Sequence, residues 1–194
     1  MSLLATFSAA LEARDPYLRG HSTRVTAFAE ALAKTIGWSA DRIETLRLGG
    51  SLHDVGKIAV NASVLRKPGP LSAAEHAHIR THPRAGARLI EGVADLRPAL
   101  PYVLYHHERW DGSGYPTGKA GTEIPEEARL LGVADAFDAM TSERAYRPAL
   151  TLDCALDELE RCAGTQFDPE LAEAFVHGWR RGAIGADARL AAAG

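Results

Sequence analysis

The chain has 194 residues, a length that suits one domain or one domain with a tail. Hydrophobic residues make up 46% of it and charged residues 24%, so the chain can bury a sizeable core. Its formal net charge of -3 provides no general basic field, which argues against a DNA or RNA polymer as its partner.

The sequence also indicates the compartment. The two cysteines, Cys154 and Cys162, lack CxxC spacing and lie in a helical stretch, so we expect reduced, buried thiols. No apolar run approaches the length of a membrane span, and the first ten residues lack the features of a signal peptide. We therefore expect a cytoplasmic protein without membrane contact.

Apolar residues recur at helical spacing along most of the chain. In the first quarter they predict three helices, one that begins near residue 3 and ends at Asp15-Pro16, and two more over residues 25–36 and 39–52. Gly37 is expected to end the second of these helices, and Ser39 to cap the third. A loop then extends to the capping-box sequence between Ser72 and Glu75, where a further helix begins.

The second half of the chain is also helical in pattern. Helices are expected after Pro83, before His106, over residues 126–140, over residues 151–163, and from Asp168 onward. Residues 108–125 are rich in glycine and proline and predict a long ordered loop, a feature that is often functional. No strand pair or internal repeat is evident, so the predicted fold class is all-α. We assign residues 1–181 to one domain and residues 182–194, rich in Ala and Gly, to a flexible tail.

Several ionisable residues stand in apolar surroundings. His53 and Asp54 end an apolar helix, the doublet His106-His107 follows another, and Asp135 lies inside an apolar helical segment. A buried imidazole or carboxylate without a partner carries a large desolvation penalty. A shared metal centre would satisfy all of these groups, and its mixed nitrogen and oxygen ligands would suit Fe, Mn, Co, Ni or Zn.

Such a centre would suit phosphate chemistry. A carboxylate has two oxygens, so one Asp could bridge two ions, and two ions about 3.5–4 Å apart can hold a hydroxide and clamp an in-line phosphoryl displacement. Lys57 lies one turn past His53 and could neutralise charge that develops on the phosphate. The His53-Asp54 pair, the His106-His107 doublet and Asp135 are each weak evidence for a metal site when taken alone. His78 and His82 have the spacing of a ligand pair, yet we expect His76, His78 and His177 at the surface.

A series of motifs follows in order from about Arg14 to Phe175. They are RDPY at 14–17, GHS at 20–22, HDVGK at 53–57, KPG at 67–69, IRTHP at 79–83, HHERWDGSGYP at 106–116, VADAFDAMTS at 133–142, RAYR at 144–147 and GTQFDP at 164–169. In this order they resemble the HD-GYP domain phosphodiesterases, a branch of the HD superfamily of metal-dependent phosphohydrolases. The resemblance implies an HD-domain helical bundle with a long ordered GYP loop.

The resemblance also implies an activity, the hydrolysis of cyclic di-GMP to linear pGpG, and in some members on to GMP. It implies seven metal-binding residues, which are His21, His53, Asp54, His82, His106, His107 and Asp135. By similarity, His53, Asp54 and Asp135 hold one ion with His21 near it. The second ion is held by His82 and the His106-His107 doublet, with Asp54 bridging the two.

The remaining site residues are carried over in the same way. Asp54 and Lys57 are the expected catalytic residues, and Lys57 is also expected to contact a phosphate. Tyr115, in the GYP loop, would shape the substrate site. Arg144 and Arg147 match positions that contact the ligand, and guanidinium groups bind phosphate oxygens through two hydrogen bonds and can stack on guanine.

The sequence departs from the family pattern at Tyr17. Some members carry a Glu there that supports a third metal, and a tyrosine cannot replace this carboxylate. We therefore expect two divalent transition-metal ions, with Fe or Mn favoured and Zn, Co or Ni as alternatives. The family usually follows a sensor or receiver domain, so we expect signalling partners of that kind. An apolar face on the first helix could support a homodimer.

Two other functions stay open. The chain could be an HD hydrolase that acts on another cyclic nucleotide or dinucleotide, since the substrate-contacting residues do not exclude a relative of cyclic di-GMP. It could also be a catalytically silent module that binds cyclic di-GMP and signals through partners. The presence of every expected ligand of the two-metal site favours an active enzyme over the silent module.

Overall fold

The computed structural model describes residues 20–143 and 148–185. The helices in these ranges, in chain order, are α1 (His21–Thr35), α2 (Ala40–Leu52), α3 (Ala62–Leu65), α4 (Ala73–Ile79), α5 (His82–Ile90), α6 (Leu100–Tyr105), α7 (Glu126–Thr141), α8 (Leu152–Arg161) and α9 (Pro169–Arg180). Short 3-10 helices occupy Val55–Ala59, Ala94–Ala99 and Gly121–Glu123. The described ranges hold one isolated bridge, Ala163 to Phe167, and no strand, so the all-α class is confirmed.

The main core forms where α1, α2, α7, α8 and α9 meet. Three aromatic rings stand at its centre, one each from α1, α7 and α9. The rings of Phe28 and Phe137 meet edge to face with centroids 5.2 Å apart, and Phe137 lies 4.9 Å from Phe175. A smaller apolar cluster joins the end of α2 to α5 and α6. The two clusters fix the ends of the helices between them, and the site described below is built on those ends.

Most of the predicted helix limits are confirmed. Gly37 has a φ of 82° directly after α1, a conformation that favours glycine, and Ser39 accepts a hydrogen bond from the Arg42 amide. Ser72 and Glu75 form the expected capping box of α4. The first predicted helix, which ends at Asp15-Pro16, lies outside the described residues. No helix in the described part is both long and apolar enough to cross a membrane.

Some expectations differ from the structure. The segment after Asp54 was predicted as a loop, but it forms a 3-10 helix and α3, because the buried Val55 and Val60 anchor turns too short to show a period. Cys162 is buried, whereas Cys154 is exposed because the first turn of α8 faces solvent. The predicted tail begins at 182, yet Ile184 is buried in the core. Residues 186–194 lie outside the description, and the tail stays a prediction.

Gly56 brings the Val55–Ala59 turn against α5. A Cβ at this position would collide with the carbonyl oxygen of His82 and the amide nitrogen of Gly86, both of them backbone atoms that cannot turn aside. We expect Gly56→Ala to lower the free energy of unfolding by about 1–3 kcal/mol, as overpacking does. Urea denaturation would measure this loss. Gly92→Ala is the matched control, because a Cβ there meets nothing within 4 Å. If the two variants had equal free energies of unfolding, the close backbone approach at Gly56 would not be what restricts this position.

Candidate metal centre

Within the described residues, five helices bring histidines and aspartates to one buried place. His21 is the first residue of α1, His53 and Asp54 follow α2, His82 is the first residue of α5, His106 and His107 follow α6, and Asp135 lies within α7. Four of these helices contribute through an end rather than through a face. Loop and helix limits, set by the two apolar clusters, therefore decide where the donor atoms lie.

Asp54 stands at the middle of this cluster. Its Oδ1 lies 3.3 Å from Nε2 of His82 and 4.0 Å from Nε2 of His106. Its Oδ2 lies 3.5 Å from Nε2 of His53 and 3.8 Å from Nε2 of His21. The two carboxylate oxygens thus face different sets of imidazoles.

The donor atoms form two groups that share Asp54. One group is Asp54, His82, His106 and His107, and the other is His21, His53 and Asp54. Within each group the ligand atoms lie within 4.8 Å of one another, close enough to surround one ion. Asp135 belongs to neither group. Its Oδ1 lies 3.3 Å from Nε2 of His21, so Asp135 contacts a member of the second group.

Backbone carbonyls hold three of the rings in one orientation. Nδ1 of His53 donates to the carbonyl of Gly50 at 2.8 Å, Nδ1 of His82 to Ile79 at 2.9 Å, and Nδ1 of His106 to Tyr102 at 2.9 Å. A carbonyl only accepts, so each Nδ1 carries the proton and each Nε2 keeps a lone pair. Metal-binding histidines are fixed in this way.

The lone pairs at the centre require a cation. Nε2 of His82 and Nε2 of His106 are 3.4 Å apart, and with both protons on Nδ1 they turn their lone pairs toward each other. Nε2 of His53 is buried and has no hydrogen-bond partner among the described residues. These atoms surround an ionised carboxylate. The residues therefore fit a metal site, because a metal ion would accept lone pairs that no donor among the described residues satisfies.

The electrostatics agree with that fit. Burial lowers the pKa of His53 and His106 and brings the pKa of His107 to about 3, so these imidazoles are neutral at pH 7. Burial opposes ionisation of Asp54, but the nearby Lys57 and His53 hold its pKa well below the usual value. Nζ of Lys57 donates to Oδ2 of Asp54 at 2.7 Å. Neutral imidazoles and an ionised carboxylate are the forms that bind metal.

Two residues that the sequence did not single out support His21. Asp138 is buried, and its Oδ2 accepts from Nδ1 of His21 at 2.7 Å. Arg24 donates to both oxygens of this carboxylate, from Nε at 2.6 Å and from Nη2 at 3.0 Å. Burial lowers the pKa of His21, but the bonds to Asp135 and Asp138 outweigh it and raise the pKa to about 9. His21 and Arg24 on α1 are three residues apart, and so are Asp135 and Asp138 on α7. This spacing places both members of a pair on one face of a helix, and it was the available sequence signal for the two supporting residues.

The GYP loop closes one side of the centre. The ring of Tyr115 stacks on that of His107, with centroids 4.8 Å apart. The buried carboxylate of Glu108 accepts from the amide of Thr117 at 2.6 Å and from the amide of Gly118 at 3.1 Å, which ties the start of the loop to its middle. The predicted long ordered loop is confirmed. A cavity of about 550 Å³ lies between it and α7, and His106, His107, Asp135 and Tyr115 are among its lining residues.

The other candidates lie as follows. Arg144 and Arg147 are outside the described residues, as is Tyr17. His78 does not join His82 at the centre, because its Nε2 accepts from the amide of Asn61 at 3.1 Å while His82 turns inward. His76 and His177 are exposed, as expected.

An all-helical bundle in which a His-Asp pair meets further histidines at helix ends defines the HD class of metal-dependent proteins. The family model described as "HD domain" matches residues 5–171 of this chain. The chain therefore belongs to the HD domain family, and the expected HD-GYP membership is confirmed with it. The family is metal-dependent, which agrees with the buried cluster around Asp54.

Curated relatives place the chain more narrowly. It is 40% identical over 177 residues to the cyclic di-GMP phosphodiesterase response regulator RpfG of Xanthomonas campestris pv. campestris (strain 8004), which covers 90% of this chain and 47% of the relative. It is 37% identical over 169 residues to the 3'3'-cGAMP-specific phosphodiesterase 3 of Vibrio cholerae, over 87% of this chain and 36% of the relative. The chain spans less than half the length of these two proteins.

Solved structures support the fold. Bd1817, an HDG"Y"P protein from Bdellovibrio bacteriovorus, aligns with a TM-score of 0.66 at 20% identity, over 82% of this chain and 51% of that one. The HD domain of the phosphodiesterase PgpH of L. monocytogenes, in complex with cyclic-di-AMP, aligns with a TM-score of 0.59 at 17% identity, over 91% of this chain and 96% of that one. At such identities the likeness concerns the fold alone.

The Asp138 contact yields a test that needs no substrate. We expect Asp138→Asn to weaken metal binding by about 10–100-fold, the usual effect of removing a carboxylate that orients a metal-binding histidine. Competition with a coloured chelator would measure it. Glu30→Gln is the matched control, since Glu30 on α1 also accepts two hydrogen bonds from one arginine, Arg47, but has no contact with His21. Unchanged metal affinity in Asp138→Asn would refute the role of this carboxylate.

Proposed function

We propose that the chain is a metal-dependent phosphodiesterase that hydrolyses cyclic di-GMP to linear pGpG. The observation that carries the proposal is the position of Asp54, whose two oxygens face two separate sets of imidazole nitrogens in a buried centre. Divalent ions bound there would supply an activated hydroxide and stabilise the charge of the reacting phosphate.

The proposed ligands follow the two groups of donor atoms. His53 and Asp54 would hold one ion together with His21 and Asp135, and His82, His106 and His107 would hold the second together with Asp54. Two ions are proposed because two groups share one carboxylate. Mixed imidazole and carboxylate ligands suit Fe or Mn, which we favour over Zn, Co and Ni.

The residues of the chain divide the remaining work. The ammonium of Lys57 is bonded to Asp54, and binding of cations at Asp54 would release it toward a phosphate oxygen. Tyr115, stacked on His107, would limit the access of water and define the wall against which the substrate lies. Arg144 and Arg147, outside the described residues, are proposed to bind the ligand through their guanidinium groups.

The substrate is proposed from size and similarity. A cavity of about 550 Å³ suits a ligand of nucleotide size. Relatives named as phosphodiesterases of cyclic di-GMP and of 3'3'-cGAMP support a cyclic dinucleotide, and the latter is the second candidate to assay. A relative named as a response regulator supports a signalling partner domain. A cytoplasmic location is part of the proposal.

The first test is turnover by purified protein loaded anaerobically with Mn or Fe, with the products separated by chromatography. We expect pGpG from cyclic di-GMP, and we expect Asp54→Ala to reduce turnover about a thousandfold or more because both ions lose a ligand. Metal quantitation should find two ions in the parent chain and fewer in the variant. Asp157→Ala, at an exposed position of α8, is the control. Tight binding without turnover for every metal tried would favour a silent module.

Metal affinity should depend on pH through His21. The pKa of this residue in the metal-free chain is about 9, above its ordinary value of 6.5, so its ring is protonated at pH 7. An ion that takes Nε2 must displace this proton, and its affinity should rise about tenfold per pH unit up to the pKa and level off above it. Titration calorimetry at pH 7 and pH 8 measures the slope. A slope in His21→Gln equal to that of the parent chain would contradict the assignment.

A further inference from the structure

Arg80 is a cation beside the candidate metal centre. It follows α4 and stands two residues before His82. Its Cζ lies over the ring of Tyr115, 4.8 Å from the centroid. That ring stacks on His107. The guanidinium of Arg80 is thus held one aromatic ring away from a proposed metal ligand, and it lines the same cavity.

The other cavity-lining arginines of the described ranges have partners already. Arg129 is paired with Asp168 and donates to the carbonyl of Ile124. Arg109 donates to Gln166, Ser113 and Asp111. The guanidinium of Arg80, by contrast, has no hydrogen-bond or ion-pair partner anywhere in residues 20–143 and 148–185, and the residue is exposed. Its five N–H donors are available to a ligand.

We infer that Arg80 binds the phosphodiester of the cyclic dinucleotide that is not cleaved. The inference rests on the proposed function, in which the metal centre takes the other phosphodiester. A cyclic dinucleotide carries two such groups on opposite sides of its ring. When one lies at the metal centre, the other would lie along the cavity wall that Tyr115 and Arg80 form.

The chemistry of Arg80 fits this role. A guanidinium donates two parallel hydrogen bonds to the oxygens of one phosphate. Its contact with the face of Tyr115 holds the plane of the group before the ligand arrives, so less freedom is lost on binding. Glu108 and Asp168, two of the carboxylates that line the cavity, accept hydrogen bonds from the chain and would repel a phosphate placed near them. The wall at Arg80 is therefore the favourable place for the second phosphate.

The test compares two substrates on the metal-loaded chain. Cyclic di-GMP has two phosphodiesters, and bis(p-nitrophenyl) phosphate has only one. We expect Arg80→Met to raise KM for cyclic di-GMP about tenfold with little change in kcat, because binding is lost without loss of the chemical step. Hydrolysis of bis(p-nitrophenyl) phosphate should stay within about twofold of the parent rate. Arg80→Lys keeps the charge but not the paired donors. Its KM for cyclic di-GMP should lie between those of the parent chain and Arg80→Met.

Arg88→Met is the control, an exposed cation on α5 that does not line the cavity. If Arg80→Met lowered kcat/KM by the same factor for both substrates, Arg80 would act through Tyr115 and the metal centre. That result would overturn the inference. An unchanged KM for cyclic di-GMP would overturn it as well, while leaving the proposed function intact. A parent chain that cleaves bis(p-nitrophenyl) phosphate but neither cyclic di-GMP nor 3'3'-cGAMP would refute both proposals together.

Discussion

One buried carboxylate determines the arrangement of the whole site. Asp54 is almost fully removed from water, yet the nearby Lys57 and His53 keep it ionised. Burying such a charge is favourable only where partners surround it. The partners here are imidazoles that offer lone pairs rather than protons, apart from His21. A metal ion between the carboxylate and the rings would complete the cluster, and the helices are placed so that their ends meet there.

The helix ends and the metal centre are the same structural feature. The last carbonyls of a helix have no partner within it. Nδ1 of His53 uses such a group at Gly50, and Nδ1 of His106 uses those at Tyr102 and Val103. Each of these rings satisfies the end of its own helix and is thereby turned with Nε2 toward Asp54. Packing that shifts a helix end by one residue would also turn a ring away, which ties the stability of the bundle to the geometry of the site.

Much of this could be predicted from the sequence, because helical periodicity, capping residues and charged groups in apolar segments are local signals. The short turns after Asp54 were missed because they span less than one period. From the residues alone, the spacing of His78 and His82 suggested a pair, and only the family resemblance placed His82 with the distant doublet. The contact of Asp138 with His21 joins positions 117 residues apart, and the three-residue spacings on α1 and α7 do not by themselves show that the two helices meet there. Arg144 and Arg147 stay predictions, since they lie outside the described residues.

The metal centre and the loop have separate tasks in the proposed reaction. In that reaction the centre would contact a phosphodiester, a group that all cyclic dinucleotides share, so it would set the chemistry without distinguishing the bases. Discrimination between bases would then come from the rest of the cavity lining, which includes Arg109 and Trp110 of the loop and Gln166 of the turn before α9. The amide of Trp110 donates to the carbonyl of Gln166, which joins the loop to the turn. Related chains could therefore keep one metal centre and change substrate through this wall, as the differing names of the relatives suggest.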